Sequence, residues 1–363
     1  MTSNSSNDGR FSSVKIIGSG LIGTSIGLGL TKAGIRVEMS DIDPKAAKLA
    51  NDLMASQGVG SPEVVLYAGP SSGLISALES EFKMNSSVKF IDIGSVKTKS
   101  LVEVSKSLIP NARFLATHPM AGREVGGAQS ARADLFLSRS WIYIPTDLPG
   151  APVDEDLIAA GLWLIQTLGA TPVALTAAAH DQTVALISHL PQVTASLLAS
   201  QLVDAASDSL DLAGAGLRDT TRIAASNASL WDEILLSNAS ELLPLLISLQ
   251  RDLGTFIERL EQSSSVKDLI ERGNQGRLKI PGKHGGAARE YTLLPVVIED
   301  KPGQLAALFD ECASASVNVE DLSIEHSPGQ FTGLITLALS ENDAAKLSEH
   351  LKSHGWSVHS PRQ

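Results

Sequence analysis

A β-branched run entering a glycine-rich turn, strand-like runs alternating with helical stretches, and a closing βαββαβ pattern predict an α/β protein of three parts. At 363 residues the chain is long enough for two or three domains with substantial cores. The expected parts are a dinucleotide-binding domain over 12–178, a helical domain over 179–272 and, after a linker at 273–289, a ferredoxin-like βαββαβ unit over 290–363.

Each element has its own signal. Residues 14–17 form the first strand, GSGLIG at 18–23 the turn, and an apolar helical pattern runs to about residue 33. A second strand at 35–40 ends at Asp41, and further strands are expected at 64–68, 88–93, 113–116 and 141–145. This alternation points to a parallel sheet. A helix over 154–168 and a last strand at 171–175 close the first part, and Ala/Leu/Ser-rich helix follows to about residue 272. The glycine-rich stretch 272–289 has no regular apolar period and reads as a linker or surface arm. Beyond it come a strand at 291–298, a helix at 303–315, a strand pair at 317–325 and 331–339, a helix at 343–354 and a strand at 356–359. That order is a split βαβ fold.

Composition narrows the function. A formal net charge of -11 without a Lys/Arg-rich run argues against nucleic acid or an anionic membrane as main partner. The single cysteine, Cys312, excludes an internal disulfide and a thiol-based metal centre, so no metal is expected and a cytoplasmic setting is. The polar start of the chain has no apolar signal core, and no apolar run is long enough to span a bilayer.

Glycines 18, 20 and 23 let the backbone turn tightly, approach a pyrophosphate and pack helix on strand, with Leu21 and Ile22 completing the loop. Asp41 stands eighteen residues beyond Gly23, near the spacing of a ribose-binding acid. An acid there accepts ribose hydroxyls and repels a 2′-phosphate, which favours NAD over NADP. Asp43, just before Pro44, is suited to capping the next helix.

The segment ATHPMAGRE places His118 at the carboxyl end of a strand, where an imidazole titrating near neutral pH can take a hydroxyl proton while hydride leaves for a nicotinamide. DIGSVK brings Ser95 and Lys97 to the same sheet edge, with helix capping as the other role open to Ser95. In the helical part, HDQTVALISHLPQ supplies His180, His189 and Gln192, and LRDTTRIA supplies Arg218, Asp219 and Arg222. Arg222 can clamp a carboxylate; a solvated surface pair with Asp219 is the alternative for these arginines.

GSGLIG, DIGSVK, THPMAG with Glu124, DQ followed by SHLP, RDTTRIA and Trp231 together resemble the prephenate/arogenate dehydrogenases with a C-terminal ACT domain. The resemblance runs from about Val14 through nearly the whole chain. It implies NAD-dependent oxidative decarboxylation of prephenate to 4-hydroxyphenylpyruvate in tyrosine biosynthesis, with arogenate as the alternative substrate. By resemblance, His118 is the base, Ser95 hydrogen-bonds near the ring hydroxyl and Arg222 binds substrate carboxylate. Glu124 and Asp219 join an ionic network at the pocket mouth, and His189, Gln192 and Trp231 line the pocket. Many members read SHLPH where this chain has SHLPQ, so Gln192 bears on substrate choice. DKPGQLAAL and VNVEDLSIEH fit the ACT pattern, implying a homodimer and a tyrosine-type effector near Gly303 and Asn318. A β-hydroxyacid dehydrogenase is a weaker match, because no lysine lies between Lys106 and Lys267 to serve its helical domain. The remaining alternative is a non-catalytic sensor of NAD and an amino acid.

Overall fold

A computed structural model describes residues 9–56, 58–122, 126–146, 152–280, 291–326 and 331–361. The chain divides into two compact units, Met1–Asp252 and Leu253–Gln363. The first begins with β1 (Ser13–Ile17), α1 (Leu21–Lys32), β2 (Arg36–Ser40), α2 (Pro44–Met54), β3 (Val64–Tyr67) and α3 (Leu74–Met84). It continues with β4 (Lys89–Asp92), α4 (Thr98–Ser105), β5 (Phe114–Pro119), β6 (Ser140–Ile144), α5 (Glu155–Thr167) and β7 (Thr171–Ala174).

These strands form one sheet in the order β2-β1-β3-β4-β5-β6-β7. All neighbours are parallel except β5 and β6, which pair antiparallel, Thr117 opposite Tyr143. The expectation of a parallel sheet is therefore corrected to a mixed one. Between β5 and β6 the described chain has only a short 3-10 turn, Ala128–Ser130, and no crossover helix, which a parallel return requires. Residues inside the sheet are apolar on both faces: Val14, Ile16, Val65, Leu66, Phe90, Ile91, Phe114 and Leu115 are buried. Asp43 caps α2, accepting from the Lys45 amide at 2.9 Å with Pro44 in the first turn.

After β7 the chain is helical: α6 (Ala177–Val184), a π-helical turn (Ala185–His189), α7 (Leu190–Ser200), α8 (Ser207–Leu210), α9 (Ala215–Thr221), α10 (Ala228–Ser237) and α11 (Ala239–Glu261). Pro191 explains the wide turn, since it has no amide hydrogen for the carbonyl four residues back and its ring presses on that group.

In the second unit, α12 (Lys267–Leu278) occupies the start of the stretch expected to be a linker; residues 281–290 lie outside the described chain. Then come β8 (Thr292–Glu299), α13 (Gln304–Ser314), β9 (Asp321–His326), β10 (Thr332–Leu339), α14 (Glu341–Ser353) and β11 (Ser357–Val358). The order β11-β8-β10-β9, antiparallel throughout, is that of a ferredoxin-like sheet. Its core joins Leu294, Val296, Leu308, Leu337, Leu347 and Leu351 with the buried Cys312.

Candidate active site

The glycine turn lies at the carboxyl end of β1. Gly18 has φ +113°, and a Cβ there would stand 2.6 Å from the Ala68 carbonyl carbon; at Gly23 a Cβ would stand 2.1 Å from the Gly18 oxygen. Neither position tolerates a side chain. Gly20, the residue before α1, faces open space, leaving the helix amino end accessible with Leu21 buried and Ile22 half-buried behind it. Asp41 is anchored by this loop: its carboxylate accepts from the Ser19 amide at 2.6 Å and the Asp43 amide at 2.9 Å. Two lone pairs per oxygen leave it capacity for ribose hydroxyls. Ser19 Oγ and Thr24 Oγ1 are buried beside the turn without a hydrogen-bond partner, polar capacity that fits a bound pyrophosphate nearby. These residues fit a dinucleotide.

His118 sits inside β5, two residues beyond Ala116, which pairs with Asp92 at the end of β4. Ser95, half-buried, follows β4 at the same sheet edge. Capping is not its role, since α4 starts at Thr98 without a side-chain cap.

A buried relay stands behind His118. Its Nδ1 lies 2.8 Å from His180 Nε2, and His180 Nδ1 lies 2.7 Å from Asp181 Oδ1. A carboxylate only accepts, so His180 Nδ1 carries a hydrogen and its Nε2 a lone pair; His118 Nδ1–H then donates to it. This leaves the lone pair of neutral His118 on Nε2, the atom turned away from the relay. Asp181 also accepts from the Lys97 and Thr98 amides, both at 2.8 Å, fixing its carboxylate at the start of α4.

Electrostatics keep the relay neutral at the rings and charged at the acid. Burial, then His180 and Lys97, hold His118 well below the ordinary histidine value. Burial lowers His180 too, despite its bond to Asp181. Burial tends to raise Asp181, but the hydrogen bonds from His180, Thr98 and Lys97 prevail and hold it below the usual carboxylate range. Lys97 is fully buried, paired with Asp92 and donating to the Thr117 carbonyl at 2.8 Å. Thr117 is itself held by Trp141 Nε1 at 3.0 Å.

The helical segment adds a second layer. Asn238 Nδ2 donates to the Asp181 carbonyl at 2.8 Å and lies 3.1 Å from His189 Nδ1, so the buried His189 accepts there. Burial lowers its pKa to about 4. Trp231, half-buried on α10, meets the His189 ring edge-on at 6.0 Å between centroids. Gln192 is buried, donating to Ser226 at 2.8 Å and Ser196 at 3.2 Å. Asp219, on α9, and Arg222, in the 3-10 turn Arg222–Ala224, are exposed; Arg218 donates to the Ala213 carbonyl at 3.3 Å. Glu124 lies outside the described residues. In the second unit Gly303 (φ +90°) precedes α13, and the exposed Asn318 donates to Glu320 at 3.0 Å.

A cavity of about 470 Å³ opens just beyond His118, lined by Met120, Ala121, Gly122, Arg132, Leu135 and Arg139 among others. Another, about 300 Å³, includes Val64 and Lys89 at the opposite ends of β3 and β4. Ligands of open α/β sheets bind at carboxyl ends, which selects the former. Asp181, Lys97 and Asn238 as supports were not anticipated; the HD dipeptide on an alanine-rich helix was the one available signal for Asp181.

A family model described as prephenate dehydrogenase, nucleotide-binding domain, matches residues 26–156, and one described as prephenate dehydrogenase, dimerization domain, matches residues 176–272. The chain is 30% identical to the probable prephenate dehydrogenase NovF of Streptomyces niveus, over 95% of this chain and 99% of that one. Among solved structures, prephenate dehydrogenase from A. aeolicus in complex with hydroxyphenyl propionate and NAD+ has a TM-score of 0.64 at 23% identity, covering 74% of this chain and 97% of its own. Synechocystis arogenate dehydrogenase has a TM-score of 0.59 at 24% identity, covering 73% and 98%. At these identities the structural likeness speaks for fold.

Proposed function

The chain belongs to the prephenate dehydrogenase family, and on that premise we propose that it oxidises and decarboxylates prephenate to 4-hydroxyphenylpyruvate. The observation that carries this reading is the Asp181–His180–His118 relay, which leaves a neutral base with its lone pair at the carboxyl edge of a nucleotide-binding sheet. NAD+, when bound, supplies the hydride acceptor. Gly18, Gly20, Leu21, Ile22 and Gly23 cradle its pyrophosphate at the start of α1, and Asp41 takes its ribose hydroxyls.

His118 Nε2 accepts the ring-hydroxyl proton as hydride leaves the same carbon. The bond to the ring carboxylate breaks, carbon dioxide leaves, the freed electron pair completes the aromatic ring, and the phenolate oxygen takes back the proton held by His118. His180 and Asp181 steady the imidazolium that forms on His118, acting through hydrogen bonds already made in the resting state. Ser95 orients the hydroxyl. Arg222, with Asp219, holds carboxylate; His189, Gln192 and Trp231 line the side-chain end.

Exposed apolar side chains on the helical segment, among them Leu186, Leu197, Leu236, Leu243 and Ile247, support a homodimer, in keeping with the dimerization-domain match. The ferredoxin-like unit is read as an ACT domain binding tyrosine near Gly303 and Asn318. Gln192 favours a second reading, arogenate as substrate: a neutral amide with both donor and acceptor suits an amino acid as well as a keto acid.

NAD reduction with prephenate and with arogenate, each with and without tyrosine, tests all of this. Turnover of neither substrate overturns the assignment. Turnover of arogenate alone selects the second reading, and saturating tyrosine that alters neither rate nor melting temperature removes the regulatory part.

A further inference from the structure

The second unit carries a group of potential metal ligands outside everything assigned above. Glu311 on α13, His350 in the last turn of α14 and His354, the residue that caps that helix, each offer a donor atom, and these atoms all lie within 4.8 Å of one another. We propose that Glu311, His350 and His354 form a divalent-cation site of zinc type that ties α13 to α14.

The two histidines are four residues apart across the end of α14, and their ring centroids lie 4.3 Å apart. His354 Nδ1 lies 2.8 Å from the His350 carbonyl oxygen; it must carry the hydrogen there, which leaves the lone pair on Nε2. This is the support a metal-binding histidine needs, its remote nitrogen fixed by a carbonyl. Glu311 is held likewise: Trp356 Nε1 donates to Oε1 at 3.4 Å, while Oε2 lies 2.6 Å from His350 Nε2. The carboxylate only accepts, so His350 Nε2 carries the hydrogen in this contact, and an ion bound there takes the place of that proton.

Two imidazoles and a carboxylate are the ligand set of open zinc sites, with water in the fourth position. Imidazole disfavours calcium and magnesium, which take oxygen ligands. Metal–ligand bonds of about 2.0–2.1 Å separate tetrahedral donors by roughly 3.4 Å, so the His350–Glu311 contact opens by about 1 Å and wider pairs draw in. Glu311 and His350 are half-buried and His354 exposed, which gives an ion access without a change of fold.

The test uses the full chain, stripped of metal with chelator and titrated with zinc by calorimetry, and with cobalt(II) for its visible spectrum. Expected is one equivalent per chain with tetrahedral cobalt bands, weakened at least ~10-fold in His354→Gln and in Glu311→Gln. His354 is exposed, so its replacement leaves folding intact, and both variants keep His118, His180 and His189. Zinc should also raise the melting temperature of the parent chain and not that of His354→Gln. Absence of stoichiometric binding, or equal binding by parent and variants, overturns the proposal.

Discussion

His118, His180 and Asp181 in the first unit, and His350, His354 and Glu311 in the second, are both two imidazoles and a carboxylate, yet their surroundings set them to different tasks. In the first, burial strips the rings of water, holds both histidines below their ordinary pKa, and threads one hydrogen-bond chain from acid to outermost nitrogen. In the second, one ring is half-buried and the other exposed, the carboxylate reaches the half-buried one directly, and a lone pair remains on the exposed one. Burial with serial bonding makes a proton acceptor; exposure with converging donors makes a ligand set.

The comparison breaks first at His118. His118→Asn should lower kcat/KM by about 10²–10⁴-fold while NAD binding, followed by fluorescence titration, is retained. Unchanged turnover would remove the base from the mechanism. Next is the charge beneath the buried cluster. Lys97→Met leaves Asp92 buried without its cation, and urea unfolding should show a loss of about 3–5 kcal/mol; a loss below 1 kcal/mol would mean that water or another group satisfies Asp92.

Asp181→Asn is smaller, because Asp181 acts through His180. An amide has one accepting oxygen, whereas three protein groups donate to the carboxylate, so one meets an NH₂ instead. Turnover should fall by about 10–10²-fold, less than the base itself supplies. The acid limb of kcat/KM should also move to lower pH, since the negative charge that raises the His118 pKa is gone; a fall in rate with an unmoved limb would indicate a purely structural role.

Stability should register the burial of His189. Its pKa is about 4 when folded and near 6.5 when unfolded, so between those values the unfolded chain binds the extra proton. Stability from this group is full above pH 6.5 and declines as pH falls toward 4. Urea midpoints at pH 7 and 5 check the sign. At the far end of the series, His354→Gln should leave kcat unchanged within about twofold, as expected of an exposed substitution outside the unit that carries the candidate site.

How much of this the chain announced depends on the range of the cause. The glycine turn, Asp41, the Asp43 cap and the βαββαβ order are local, and residues close together in sequence revealed them. His118 was legible as a candidate base, but its partner lies 62 residues away, and no local pattern joins ATHP to HDQ. The antiparallel direction of β6 was missed because alternation of elements does not encode strand direction, and the second half of α12 because glycines obscured its period. Lys97 was expected among the ligand-facing groups; instead it is the buried counter-ion of Asp92, an outcome set by tertiary packing.

The π-helical turn Ala185–His189 has a bearing on chain length. Counted along an ideal α-helix, His180 and His189 fall about 180° apart; one residue absorbed by the wide turn brings them to within roughly 80°. Removing a residue from this turn should close it into regular helix with both histidines still in register, whereas adding one should rotate His189 away from Asn238. The site should therefore be asymmetric toward length change, tolerating a deletion here far better than an insertion.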